Sequence, residues 1–231
     1  MSAAEGVRTL LRGTGQAFIT LGLIVLLFAV YELYGTNLYT AREQTQLGQS
    51  LRTTWAGAPA RPGHGGRQLP GIPLGSGFAV LWIPRLGIMG KEAKVVVEGV
   101  SHEDLKKGPG HYPGTALPGA VGNVVISGHR TTYGAPFNRL DELRPGDAIV
   151  IETRSTWFTY RMTGRQVVRP SSVEVTYAVP GQRTAQPTRK LLTLTTCNPK
   201  YSASQRLIVR GLLQSALVKT AGTPPALIGK S

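Results

Sequence analysis

The chain has 231 residues, enough for one ordinary domain with accessory segments but too few for two domains and a membrane bundle. A hydrophobic content of 41% excludes global disorder, and 29 Gly, 16 Pro and only 16% charged residues favour turns and strands over long surface helices. The net charge of +14 lies wholly beyond residue 34; it suits nucleic acid, anionic lipid or an anionic wall polymer, or plain solvation, and does not choose among them.

The first element settles the compartment. Residues 17–34 read AFITLGLIVLLFAVYELY, with Glu32 as the one charge. As a helix this stretch rises about 27 Å, close to the hydrocarbon thickness of a bilayer. Tyr31 and Tyr34 suit the interface. Arg8 and Arg12 precede the stretch and no Lys or Arg follows until Arg42, so the positive-inside rule places residues 1–16 in the cytoplasm and the rest outside. A cleaved signal peptide would have a shorter apolar run and a small-x-small site, which Tyr-Glu-Leu-Tyr does not supply. A buried core helix would show polar periodicity, absent from Leu21 to Val30. Outside a membrane, nucleic acid is not an expected partner, and no zinc-finger spacing, aromatic stripe or lysine-rich arm asks for one.

Residues 35–77 form a juxtamembrane segment and linker. The stretch 36–55 has polar helical character, whereas 56–77 is Gly/Pro/Ala-rich and reads as a tether in which His64 is simply solvated. From Phe78 to Leu213 the texture changes to short apolar runs cut by turn residues. The runs 78–88, 93–100, 123–129, 147–154, 156–170, 190–197 and 206–213 read as strands, and this spacing predicts a mostly antiparallel sandwich or closed barrel. The segment SHEDLKKG at 101–108 orders its charges as a helix dipole requires and predicts one short helix; 135–143 is a second. Residues 214–231 are read as a tail, frayed from Ala221.

Three side chains stand out chemically. Cys197 is the only cysteine, so no intramolecular disulfide forms, and it closes a strand just before Asn198-Pro199. There a thiol is either a buried core residue or a nucleophile on a rigid, open edge. His129 ends another strand behind Gly128, which lets the backbone bend or be closely approached. Arg206 and Arg210 flank Ile208 on one strand face, either both exposed or turned toward an anion.

The stretch LLTLTTCNP at 191–199 resembles the sortase signature, in which a Thr-Leu-x-Thr-Cys strand presents the catalytic cysteine. ISGHR at 126–130 is similar to the family's histidine segment, and QRLIV at 205–209 to its arginine strand. The resemblance covers about residues 78–213. Within the family, GPGHYPGTALPG at 108–119 and TTCNPKYS at 195–202 resemble class E. The resemblance implies a closed eight-stranded β-barrel with a few short helices. It implies Cys197 as nucleophile, His129 as the proton carrier and Arg206 as the oxyanion partner, with Arg210 as the alternative arginine. The substrate would be an exported protein with a Leu-Ala-x-Thr-Gly signal, joined to the amine of a lipid-linked cell-wall peptide. Tyr112 would select the alanine, with Ser127 and Thr196 lining the groove. No cofactor and no metal are expected: His102, His111 and His129 make no ligand pattern with Cys197, and Glu103–Asp104 reads as a helix start rather than a calcium site. Two alternatives remain open: an L,D-type peptidoglycan transpeptidase, whose motif has His and Gly just before the Cys where this chain has Thr195-Thr196, and a non-catalytic wall-binding barrel.

Overall fold

The computed structural model describes residues 3–31, 35–57 and 71–228. Residues 58–70, which hold most of the expected tether, and 32–34, the end of the expected membrane span, lie outside the described residues.

Helix α1 (Ala3–Val30) begins well before the expected residue 17. Its stretch Glu5–Val30 is long and apolar enough to cross a membrane, and none of that span is buried against protein. Leu23, Leu26 and Phe28 stay exposed, so no core in the described chain covers them. This is not the burial pattern of a soluble core helix.

Helix α2 (Thr36–Ala56) is the helical segment expected over 36–55. It is not a free spacer. Gln44 accepts from the Val95 N–H (2.8 Å) and donates to the Val95 and Lys107 carbonyls (3.0 and 2.8 Å), while Thr40 donates to Lys106 O (2.7 Å). Its own Leu51 is buried. At its end, Trp55 receives the Lys219 ammonium at 4.1 Å from the ring centroid, and Lys219 also pairs with Glu152.

Eight described strands close a barrel: β1 (Gly77–Trp82), β2 (Lys94–Glu98), β3 (Gly110–His111), β4 (Gly122–Ser127), β5 (Ala148–Glu152), β6 (Thr156–Val168), β7 (Lys190–Asn198) and β8 (Gln205–Val218). Their order around the barrel is β1-β2-β3-β4-β7-β8-β6-β5. The pairs β2–β3 and β4–β7 are parallel and the others antiparallel. Closure removes every open edge.

The inside is filled by alternate residues of each strand. Val124 and Ile126 of β4, Leu192 and Leu194 of β7, and Leu207 and Val209 of β8 join one cluster with Leu81, Phe137 and Tyr160. The Tyr160 hydroxyl accepts the Gly119 N–H at 2.9 Å, which satisfies the one polar atom on a fully buried ring.

Several boundaries differ from the sequence reading. The run 78–88 ends as a strand at Trp82, because Pro84 has no N–H for a ladder and starts a 3-10 turn over Pro84–Leu86. The two runs within 156–170 are one strand, with a register shift between Met162 and Gly164. β8 runs to Val218, five residues past the expected domain end at 213. The 135–143 helix is a correction: only a 3-10 turn over Leu140–Glu142 forms, following residues that include Ala135 at φ +41°. Helix α3 (His102–Lys107) matches its expectation, capped by Ser101 and Asp104 in a reciprocal box. A short helix α4 (Pro225–Ile228) lies in the tail expected to fray.

Candidate active site

Three adjacent strands build the site on the outer face of the barrel. Because Leu192 and Leu194 face inward, Thr193, Thr195 and Cys197 face outward. By the same alternation Val125 and Ser127 of β4 face outward, as do Arg206, Ile208 and Arg210 of β8. Both arginines stand on the outward face and both are half-buried there. That face is only partly solvent-exposed: Ile208, Val125 and Thr193 are at most 1% exposed. The segment 173–177 covers one end, held by Asn123, whose amide donates to Val175 O and Tyr177 O (3.0 and 3.1 Å).

Register then sets neighbours. Cys197 pairs directly with Arg206 across β7–β8. Side chains so placed have Cβ atoms about 4.5–5.5 Å apart. Arg210 pairs with Thr193, four residues away from the sulfur. One Arg206 nitrogen, Nη1, is fixed by the Ala203 and Gln205 carbonyls, both at 2.9 Å. Among the described residues no carboxylate forms an ion pair with Arg206 or Arg210.

On the other side, β4 runs parallel to β7 with Ser127 opposite Thr195. The ladder continues one step, with the Gly128 N–H donating to Thr195 O at 3.1 Å. That places His129 level with Cys197. Gly128 is required there: a Cβ would lie 2.7 Å from the Phe137 ring. Beyond it the chain turns through Tyr133, Gly134 and Ala135, all at positive φ. The turn is tied to α2, where Asn37 accepts the Gly134 N–H at 2.8 Å. Tyr133 lies against His129 with ring centroids 4.9 Å apart. Burial pushes the His129 imidazole below its usual pKa of 6.5, and the neighbouring His102 adds to this. That shift favours the neutral imidazole, and its Nε2 is buried without a hydrogen-bond partner among the described residues.

Sequence reasoning missed Arg130. It is 4% exposed and donates to Cys197 O (3.2 Å) and Asn198 Oδ1 (2.6 Å), with Asp141 3.0 Å away. It locks the strand end carrying the sulfur to the turn carrying the imidazole. The signal was an arginine directly after His129 with no other Asp, Glu, Lys or Arg between Lys107 and Arg139, but sequence alone does not show it buried.

The remaining expected residues divide. Ser127 sits on the outward face, half-buried, two residues before His129. Tyr112, also half-buried, donates its N–H to Val125 O (2.9 Å) and so joins the same face, two strands from β7. Thr196 is a correction. It is 2% exposed, on the inward face opposite to Cys197, and its hydroxyl donates to Gly128 O at 2.8 Å. It ties β7 to the His129 turn and does not line the groove. His111 is likewise internal, with Nδ1 2.7 Å from Glu98 and Nε2 2.9 Å from Thr115.

Known proteins resemble this chain in sequence and fold. The sortase domain family matches residues 81–214. Sortase SrtE1 of Streptomyces coelicolor is 36% identical over 94% of this chain, and the chain spans 61% of that protein's length. Sortase SrtE2 of the same organism is 33% identical over 96% of this chain and 88% of its own. Among solved structures, sortase E from Streptomyces avermitilis is 45% identical, covering 67% of this chain and 99% of its own, with a TM-score of 0.60. Sortase E1 from Streptomyces coelicolor, solved with a tripeptide in its active site, is 38% identical over 66% of this chain and 97% of its own, also at 0.60. The family match sets aside the L,D-type alternative, and with the barrel, the strand-end cysteine and its arginine partner already in place, the chain belongs to the sortase family of cysteine transpeptidases, with class E members among its similar relatives.

Proposed function

We propose that this chain is a membrane-anchored, extracytoplasmic transpeptidase. It cleaves a Leu-Ala-x-Thr-Gly-like signal between Thr and Gly and joins the protein to a cell-wall peptide amine. The observation that carries this reading is the direct register pairing of Cys197 with Arg206, next to the strand that leads into His129.

The steps follow from the charge states. A free thiol ionises near pH ~8.5, so at neutral pH the sulfur needs a base. His129, whose neutral form burial favours, takes the thiol proton as the sulfur attacks the Thr carbonyl. The carbonyl oxygen becomes an oxyanion, and the Arg206 guanidinium stabilises it. Collapse breaks the C–N bond. The proton on His129 passes to the departing glycine nitrogen, leaving a thioester on Cys197. An incoming amine then attacks the thioester, His129 accepts its proton, and the thiol is restored. Tyr112 meets the alanine of the signal, and Ser127 lines the path between Tyr112 and the sulfur. The tripeptide held in the active site of the Streptomyces coelicolor relative supports a peptide-binding groove here.

Helix α1 supports the anchor, and Arg8 and Arg12 ahead of the apolar stretch support a cytoplasmic N-terminus. The partners are exported proteins bearing the signal and a lipid-linked wall precursor. Incubating the full-length protein in detergent with a quenched Leu-Ala-x-Thr-Gly peptide and an amine tests the reading. A product in which the Thr carbonyl is joined to the added amine is expected. Cleavage that never incorporates the amine contradicts transpeptidation.

A further inference from the structure

The Arg206 assignment leaves Arg210 without a role. It sits on the same outward face, opposite Thr193, one strand over and four residues along from Cys197. Its guanidinium makes no hydrogen bond to any described group and pairs with no carboxylate, although the side chain is half-buried. Such a charge is costly unless an anion completes it. It faces a cavity of about 430 Å³ between β6, β7, β8 and the segment 178–189. The lining contains Arg210, Arg189, Gln182, Gln186, Thr163 and Thr188, and it contains no Asp or Glu. The segment 169–190 that roofs it carries Arg169, Arg183, Arg189 and Lys190 against Glu174 alone. Loss of hydration at Arg210 lowers its pKa, the direction expected of a cation awaiting a counter-charge.

We propose that Arg210, with Arg189 at the rim, is an anion subsite for a carboxylate side chain just N-terminal to the sorting signal. This rests on the transpeptidase reading, which places the Thr carbonyl at Cys197, with the upstream chain running along β7 toward Thr193, the residue opposite Arg210. Four residues of strand span ~13 Å, and four residues of extended substrate span the same length. Counting back from the threonine, the residue level with Arg210 is the one before the leucine. An acidic residue there, or within a position of it, meets the unpaired guanidinium. The same chemistry could come from carboxylates of the wall peptide that supplies the amine, and the experiment separates the two.

The test uses full-length protein in detergent and three signal peptides with Glu, Gln or Lys before the leucine. Each is run with a neutral amine acceptor and with an acceptor peptide carrying carboxylates. The wild type should favour Glu over Gln about fivefold in kcat/KM, the scale of a half-buried charge pair, and should disfavour Lys further. The preference should be the same with either acceptor. In Arg210→Gln the Glu/Gln ratio should fall to about one, and Arg189→Gln should lower it in part. If Arg210→Gln does not fold, the wild-type ratio still has to shrink as salt rises, and Arg189→Gln still has to reduce it. Equal kcat/KM for the Glu and Lys peptides overturns the subsite, as does a ratio that survives Arg210→Gln. A preference seen only with the acidic acceptor overturns the donor-side assignment. If the wild type cleaves none of the three peptides, the transpeptidase reading itself fails.

Discussion

The two faces of the same three strands differ more than any two domains of this molecule. Inside, Val124, Ile126, Leu192, Leu194, Leu207 and Val209 pack into one apolar cluster. Outside stand Ser127, Arg206 and Arg210, each one residue from a member of that cluster, and Cys197, one residue past the inward Thr196. A strand's two-residue period assigns stability to one face and reactivity to the other without mixing them. The inner face is closed and satisfied. The outer face keeps a thiol, an imidazole and two cations that no described carboxylate pairs, a state that a rigid backing sheet can hold.

That division can be broken deliberately. The largest effect belongs to the outer face: Cys197→Ala should lower acyl transfer about 10⁴-fold or more, with the thermal midpoint nearly unchanged. Arg206→Ala should cost about 10²–10³ in kcat, and Arg206→Lys should recover only part, because an ammonium lacks the planar fork. If Arg210→Ala matched the Arg206→Ala loss, the register-based choice between them would be wrong. The inner face should show the reverse pattern. Leu194 is fully buried, and Leu194→Ala should cost about 3 kcal/mol in denaturant unfolding while leaving the chemistry of the folded fraction intact.

Thr196 sharpens the comparison because it faces inward yet holds the site. Thr196→Ala orphans the Gly128 carbonyl and should cost about 1 kcal/mol of stability, together with a fewfold loss of rate, since His129 follows directly. Thr196→Ser should restore both.

The smallest expected effect is a pH shift. As a base, His129 works only when neutral, so the acid limb of kcat/KM should lie below 6.5, where burial puts its pKa. His102→Gln removes a neighbouring charge, so the limb should move up toward 6.5. The stability sign is fixed as well. Between the lowered folded pKa and 6.5, the unfolded chain binds more protons, so stability falls as pH drops through that window. Replacing His129 with Gln should flatten that slope.

The sequence carried the barrel well because its strands are long Val/Ile/Leu/Thr runs between turn residues, as at 147–154 and 190–197. It hid β3, since Gly110–His111 is a two-residue strand with no β-branched run and exists only because β2 and β4 flank it. It misled at 135–143, read as a second short helix, where the preceding left-handed residues and Leu143 in extended backbone confine the helical geometry to one tight turn. Cys197, His129 and Arg206 were legible as a motif and an order, while their placement on one face depended on the parallel β4–β7 pairing, a contact between residues about 70 positions apart. Thr196 was misassigned although period-2 alternation places it opposite to Cys197. The tie from α2 to the His129 turn through Asn37 left no sequence signal at all.

The central claim is that the Cys197 sulfur itself carries the acyl group. Rapid acid quenching of full-length enzyme with a signal peptide, followed by intact-mass and peptide-mapping mass spectrometry, reads this directly. The account predicts a peptide acyl mass on Cys197 that forms before product and vanishes when an amine is added. Turnover with no modified Cys197, or undiminished turnover by Cys197→Ser, would contradict it.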